Sequence, residues 1–341
     1  MMMQTKDLDN PLVSIIITSY NRDSLIEKAI RSALKQDYPN LQIVISDNAS
    51  TDGTHEIIKK YVHDPRIHFH VNDINIGMVP NFLKATTELA KGKLITYVSS
   101  DDTLMHQSFI SMAVEKFKEF PNLKIVHSIN SSHIEESGET HFDYSYEFYK
   151  ETFYKKNFVS GKEVFQNYPR CHSISFGGTV FFKDDLINLK LFSDSDVFSA
   201  DAQLILKIIQ NGDAAFLPIH GYEVLRHGKN FTSSISEADT YIKNKNYIDD
   251  PYEYAQINKF LPQKDLGKWK SEMYVTYFFQ ITLHFLRYSK NEYLVLKKYL
   301  AEYYPLVHKR IFFGFKWNIQ RLSIICSIFT KVLLRFFYQK H

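Results

Sequence analysis

The stretch Lys93–Asp102, KLITYVSSDD, is an apolar run that ends in two adjacent carboxylates. Its first six residues have the β-branched and aromatic composition of a short buried strand, so Asp101 and Asp102 stand just beyond a strand end. Two such charges repel by about 1 kcal/mol in water and roughly four times that in a partly dry cleft. The pair therefore reads either as a solvated turn or as a site that holds something positive. The residues upstream bear on the choice.

Between Leu12 and Val98 the hydrophobic pattern switches repeatedly between a period of two and a period near 3.6. LVSIII (Leu12 to Ile17), LQIVIS (Leu41 to Ser46) and IHFHV (Ile67 to Val71) are strand-like. Between them, Leu25, Ile26, Ile30, Ala33 and Leu34 recur at helical spacing, opened by Ser24 with Glu27 three residues on as a capping box. Ile57, Ile58 and Tyr61 mark a second helix. A third begins near Pro80 and turns Phe82, Leu83, Thr86, Leu89 and Ala90 inward. This βαβαβαβ order predicts an α/β fold with a mostly parallel sheet flanked by helices. In open sheets of that kind, ligands sit beyond the carboxyl ends of the strands. The polar segments TSYNR (Thr18 to Arg22), DNASTDGT (Asp47 to Thr54) and SSDD should then converge on one edge.

Bulk properties narrow the function classes. A net charge of +3 over 341 residues gives no general nucleic-acid footprint, and no nucleic-acid-binding motif is present. Cys171 and Cys326 share no metal-ligand spacing and fit a reducing compartment. The start, MMMQTKDLDNP, has no apolar core of a secretory signal. No G-x-G-x-x-G follows the first strand, no phosphate-cradling G-x-x-x-x-G-K-[ST] occurs, and DNASTDGT lacks the ligand spacing of an EF-hand. Phosphates would then be handled through a divalent cation held by carboxylates, with the Asp101–Asp102 pair as its holder.

VSIIITSYNR, IVISDNASTDGT and NIGMVPNFLKATTELAKGKLITYVSSDD, in this order and at this spacing, resemble the nucleotide-binding half of a family 2 glycosyltransferase with the GT-A fold. The resemblance runs from about Pro11 to Leu104 and resumes near Ser199. It implies an inverting enzyme that moves a sugar from a nucleoside diphosphate sugar, UDP by family habit, with Mn2+ or Mg2+. The acceptor would be a hydroxyl of a saccharide or lipid-linked saccharide in surface polysaccharide synthesis. It further implies that Thr18, Tyr20, Arg22 and Asp47 hold base and ribose, with Asn75, Gly77 and Asn81 bordering the pocket. Asp102 would bind the metal directly, and Asp101 would contact ribose or a metal-bound water. Ser99 departs from the family pattern, since many members carry an acid there.

In SADAQLILKIIQNGDAAFLP, Asp201 matches the acid that takes a proton from the acceptor hydroxyl; a plain helix N-cap is the alternative. Asp184 and Asp185 are its rivals. In LRHGKN, His227 matches a further metal or diphosphate contact, with Arg226 beside it. Gly177 and Gly178 either let backbone approach the acceptor or form a bulge. The aromatic residues between Phe142 and Tyr154 read equally as sugar platforms or as core. A sugar-phosphate nucleotidyltransferase is a second function class, but TSYNRDS lacks the glycines it needs. A non-catalytic nucleotide-sugar scaffold is a third.

The expected organisation is a GT-A domain over 1–240, with a donor half at about 11–104 and an acceptor half at about 105–240. A helical region over 241–341 follows. From His308 to His341 the chain has no acid but carries Lys309, Arg310, Lys316, Arg321, Lys331, Arg335 and Lys340. Only nine residues separate Arg321 from Lys331, against about 20 for a spanning helix. On a helical wheel Lys316, Lys331, Arg335 and, less closely, Arg321 gather opposite Ile319, Leu322, Ile325, Phe329, Val332, Leu333, Phe336 and Phe337, with Ile324 and Ile328 off the pattern. This suits the surface of an anionic membrane and a peripheral place on the inner face of the cell membrane. Packing against residues 270–300 or a homodimer contact are the alternatives.

Overall fold

A computed structural model describes residues 8–142, 146–170, 174–190, 200–227, 230 and 237–313. The tail from 314 onward, Cys171 and Cys326 lie outside the described residues. The chain divides into two compact units, Met1–Asn230 and Phe231–His341.

The first unit opens with β1 (Val13–Ser19), α1 (Ile26–Leu34), β2 (Leu41–Asp47), α2 (Thr54–Lys59), β3 (Ile67–Val71), α3 (Met78–Lys84) and β4 (Leu94–Ser99). These four strands are parallel, in the order β3-β2-β1-β4. Alternation sends Val13, Ile15, Ile17, Leu41, Ile43 and Ile45 to one face, where Ile26, Ala29, Ile30 and Ala33 of α1 cover them. The opposite face is also apolar, with Ile16, Val44, Ile95 and Tyr97 buried. Covering on both faces is what a parallel sheet of continuous apolar strands requires. Two local expectations change. Leu25 caps α1 without a side-chain hydrogen bond, because Glu27 is drawn sideways to the Tyr61 hydroxyl at 2.5 Å and to Arg31 at 2.8 Å. And α3 starts at Met78, two residues before Pro80, and closes in a π-turn over Ala85–Leu89.

The sheet continues through β5 (Thr103–Leu104), β6 (Leu123–Ile134), β7 (Thr140–Phe142), β8 (Thr179–Phe182) and β9 (Asp213–Arg226). Beyond β4 the order is β8-β6-β9-β5, with β7 on β6. Here the sheet is mixed. β8 runs antiparallel to both β4 and β6, while β9 is parallel to β6 and antiparallel to β5. Five helices complete the unit: α4 (Phe109–Glu119), α5 (Tyr146–Thr152), α6 (Gly161–Asn167), α7 (Lys183–Asn188) and α8 (Ala200–Ile208).

The second unit is helical among its described residues: α9 (Ala238–Lys243), α10 (Asn246–Ile257), α11 (Gln263–Tyr288), α12 (Lys290–Tyr303) and α13 (Pro305–Phe312). Ile248, Met273, Phe278, Leu296, Leu300 and Ile311 are buried in it. Asp249 clasps α10 to α11, accepting from the Tyr274 hydroxyl at 2.5 Å and from Lys270 at 2.7 Å.

His127 of β6 is 1% exposed and bonded to the Thr179 hydroxyl at 2.7 Å. Burial pushes its pKa down to about 3 from 6.5. An imidazole that resists protonation when folded favours the fold above pH 6.5 and withdraws that contribution as pH falls toward 3. The withdrawal amounts to about 3 kcal/mol by pH 4. His127→Gln removes the titration. Melting temperature against pH, from 6.5 down to 4.5, should therefore fall less steeply for the variant than for wild type; parallel curves would count against the assignment.

Candidate functional site

Strand register brings the polar loops together. Thr18 of β1 lies between Ser46 of β2 and Ser99 of β4, and Ser19 lies beside Asp47. The chain thus leaves three adjacent strands at one edge, as the alternation predicts. The first two loops are stitched to each other. The Asn21 N–H donates to the Ser50 hydroxyl, the Thr51 N–H to the Asn21 carbonyl oxygen Oδ1, and the Arg22 N–H to the Thr54 hydroxyl, each at 2.8 Å. Asn21 and Ala49 adopt φ of 51° and 59°. Asn tolerates this left-handed region, whereas Ala does so at a cost of roughly 1–2 kcal/mol. Tyr20 is 43% exposed at this edge, and the Arg22 guanidinium folds back on the Asn21 carbonyl at 3.0 Å.

Asp47, expected to face base or ribose, is fully buried and engaged within the protein. Its oxygens accept from the Ser50 N–H at 2.8 Å, the Ser50 hydroxyl at 2.6 Å and His55 Nε2 at 2.6 Å. It braces the loop from inside. Behind it lies a network of asparagines. The Asn48 amide donates to Asn75 at 2.8 Å and to the Gly77 carbonyl at 3.1 Å, and accepts from Asn72 and from the Ile76 N–H. Asn81 accepts from Asn72 and from the Ser46 hydroxyl and donates to the Ser46 carbonyl. Asn81 is 2% exposed, with its amide engaged in the turn. Gly77, at φ 91°, takes a conformation that side chains disfavour.

The two acids after β4 part company. Asp102 is 6% exposed. Its Oδ2 accepts from the Tyr222 hydroxyl at 2.7 Å and its Oδ1 from the Leu225 N–H at 3.0 Å, both on β9. Burial, and then the charge of Asp101, push its pKa up to about 7 against those hydrogen bonds. Asp101 turns the other way. Its carboxylate lies 3.1 Å from His227 Nε2 and 3.4 Å from the Asn230 amide nitrogen, just past β9. Asn230 also accepts from the His227 N–H at 2.6 Å and donates to the Leu225 carbonyl at 2.9 Å, closing the turn that carries the imidazole. Asp102 and His227 are the expected metal pair; here Asp101 lies against His227, while the oxygens of Asp102 accept from Tyr222 and Leu225 of β9. Arg226 is exposed, with Nε on the Ser132 hydroxyl at 3.3 Å.

The direction of β8 separates the candidate bases. Gly177, just before β8, bridges to Tyr97 near the carboxyl end of β4. Asp184 and Asp185 follow β8, and there Lys183 bonds to Lys93, before the start of β4. They stand at the opposite edge of the sheet, and Asp185 pairs with Lys124 at 3.1 Å. Asp201, at the start of α8, takes hydrogen bonds from the Ala202 and Phe176 N–H groups, while burial raises its pKa. Phe176 precedes Gly177 and stacks on Tyr97 at 5.0 Å. Gly177 in turn lies against the Tyr222 ring, where an added Cβ would come within 2.4 Å. A short run of contacts thus leads from Asp201 to Asp102.

Tyr222, Asn48, Asn72 and Asn230 are the residues that sequence reading missed. Asn48 and Asn230 lie within the polar segments DNASTDGT and LRHGKN and Asn72 follows the third strand, but Tyr222 acts from 120 positions away and left no local signal.

Residues 14–180 match the model of glycosyl transferase family 2. The chain is 29% identical over 188 residues to the GalNAc(5)-diNAcBac-PP-undecaprenol beta-1,3-glucosyltransferase of Campylobacter jejuni, covering 54% of this chain and 55% of that protein. Three further relatives are matched over only 32%, 36% and 34% of their own lengths. The fold is of the GT-A type. It is shared with residues 1–349 of S. aureus TarS, solved in complex with UDP-GlcNAc, at a TM-score of 0.66 and 16% identity over 85% of this chain and 80% of that one. The mannosyltransferase PcManGT of Pyrobaculum calidifontis, solved with GDP-Man and Mn2+, follows at 0.52 and 16% over 95% and 87%.

Gly177→Ala should force Tyr222 off Asp102 and cost roughly 1–3 kcal/mol in urea unfolding. Tyr222→Ala leaves room for the new methyl, so the double variant should be clearly less destabilised than the sum of the two single changes. Simple additivity would contradict the packing described.

Proposed function

We propose, from the match of residues 14–180 to the model of glycosyl transferase family 2, that the chain belongs to that family and is a metal-dependent inverting glycosyltransferase. The donor is a nucleoside diphosphate sugar, with UDP favoured. The acceptor is a hydroxyl of a saccharide or lipid-linked saccharide in surface polysaccharide synthesis, met at the inner face of the cell membrane. The UDP-GlcNAc and GDP-Man complexes of the structural neighbours support the donor class. The name of the Campylobacter relative, with its undecaprenol-linked saccharide, supports the acceptor class. Among the described residues no helix is long and apolar enough to cross a membrane, which is compatible with a peripheral place.

The observation that carries the reading is the Asp101–His227 pair. Two side chains 126 positions apart meet at 3.1 Å on the edge where the parallel strands end. Donor atoms sharing one ion at roughly 2.1 Å each sit about 3 Å apart, so carboxylate and imidazole together fit Mn2+ or Mg2+. No cluster of three metal-binding side chains occurs among the described residues; the remaining ligands would be diphosphate oxygens and water. When bound, the ion supplies positive charge against the negative charge that grows on the leaving diphosphate.

The protein's own groups divide the rest of the work. Asp102, clamped by Tyr222 and Leu225, fixes the turn from which Asp101 is presented. Tyr20 offers an exposed ring for the base, with Thr18 and Arg22 beside it. Asp201 takes the proton of the acceptor hydroxyl as that oxygen attacks the anomeric carbon, opposite the departing diphosphate, which inverts the centre. Its raised pKa makes it a stronger base than an ordinary carboxylate.

The test is diphosphate release from a panel of UDP-, GDP-, dTDP- and CDP-sugars with Mn2+. Asp101→Asn and His227→Ala should each abolish release and weaken metal-dependent nucleotide binding in calorimetry. Asp201→Asn should slow transfer by at least roughly 10² while keeping donor affinity. Near wild-type transfer by the last variant would move the base elsewhere, and unchanged binding by the first two would remove the metal assignment.

A further inference from the structure

Glu302 is the last acidic residue of the chain; from Tyr303 to His341 there are seven lysines and arginines and no acid. The structure describes the start of this basic stretch as α13, and its packing gives the helix two unlike faces. Val307, Ile311 and Phe312 are buried. Phe312 meets the Tyr293 ring at 6.2 Å and lies under the Lys297 ammonium at 5.5 Å, so this face is spent on α12. The other face carries Leu306, Lys309 and Arg310, whose guanidinium also donates to the Ser271 hydroxyl of α11 at 3.4 Å, and Phe313 follows one residue past the helix end. At spacings of three, four and seven these residues stand on one side.

Leu306 is 75% exposed and Phe313 72%. Such exposure is costly for two large apolar groups on one side of a helix, and here exposed Lys309 and Arg310 lie between them. Lone apolar residues at a surface need no explanation. Two of them flanking two cations, with no acid after Glu302, match one chemistry: apolar groups that enter an acyl boundary while the cations meet anionic headgroups. Phe313 is also the point from which the basic residues 314–341 continue.

We propose that the Leu306–Lys309–Arg310–Phe313 face of α13 is a docking surface for an anionic lipid bilayer. This rests on the reading of the chain as a peripheral membrane enzyme and assigns part of the contact to a folded helix in place of the tail alone. The face binds weakly by itself. It orients the helical unit at the surface, and the tail adds charge.

The test uses the full chain and vesicles of phosphatidylcholine alone or with phosphatidylglycerol. Wild type should sediment with the anionic vesicles only, and less as salt is raised. Lys309→Gln/Arg310→Gln and, separately, Leu306→Gln/Phe313→Gln should each lower the partition coefficient at least about tenfold, with melting curves like wild type since all four side chains are exposed. If wild type sediments but both variants follow it equally, the α13 face is not the contact, although the peripheral reading stands. If wild type binds no vesicle, both fail. If Leu306→Gln/Phe313→Gln instead splits a dimer seen in equilibrium sedimentation without lipid, the face belongs to a second copy and the proposal is overturned.

Discussion

The buried carboxylate of Asp102 ties the two halves of the sheet together at the strand-end edge. A carboxylate that is nearly inaccessible to water must be satisfied from within, and here the satisfying groups lie on β9, 120 and 123 positions onward. Those two hydrogen bonds tie the end of the parallel half of the sheet to the last strand of the mixed half. Everything at the edge hangs on that tie. The turn after β4 aims Asp101, the end of β9 aims His227, and the Tyr222 ring fixes how closely Gly177, and with it Phe176 and Asp201, can approach. Neighbouring acids are usually read as two copies of one role. Here one is buried and bonded to β9, and the other lies against His227 and Asn230.

Much of the architecture was legible before any coordinates. The alternation of periods from Leu12 to Val98 is a local property, and parallel strands buried on both faces leave little choice of arrangement. The rule that ligands gather at strand ends then located the polar loops correctly. The roles inside those loops were less legible, because they depend on which way a side chain turns at a strand end. Asp47 and Thr18 sit one step apart along a shared register, yet Asp47 is fully inside and Thr18 is half-buried. Motif likeness marks such positions without saying which of them spends its hydrogen bonds internally.

The second half shows where pattern reading stops. β8, TVFF, is four buried residues with no periodicity that fixes its direction. Yet its antiparallel course decides which acids reach the edge: it delivers Gly177 there and carries Asp184 and Asp185 away. Tyr222 likewise sits in a long strand whose alternation is broken by bulges against β6. Its significance comes only from a partner distant in sequence. Non-local pairing, not poor local signal, is the common cause.

The four asparagines behind the second loop have a consequence of another kind. Amide groups carry no titratable proton between the extremes of pH, so the wall they form keeps its shape where a wall of carboxylates would loosen or tighten. It also has a direction. Each carbonyl oxygen meets a donor, and the amide nitrogens of Asn72, Asn48 and Asn81 each meet an acceptor: Asn72 donates to Asn48 and Asn81, Asn48 to Asn75, and Asn81 to the Ser46 carbonyl. Turning over any one amide would set donor against donor at the next, so the four must hold or change together. The turn between β3 and α3 is therefore held by hydrogen-bond parity, fixed at its far end by the Lys84 ammonium, which donates to the Asn72 carbonyl oxygen at 3.0 Å.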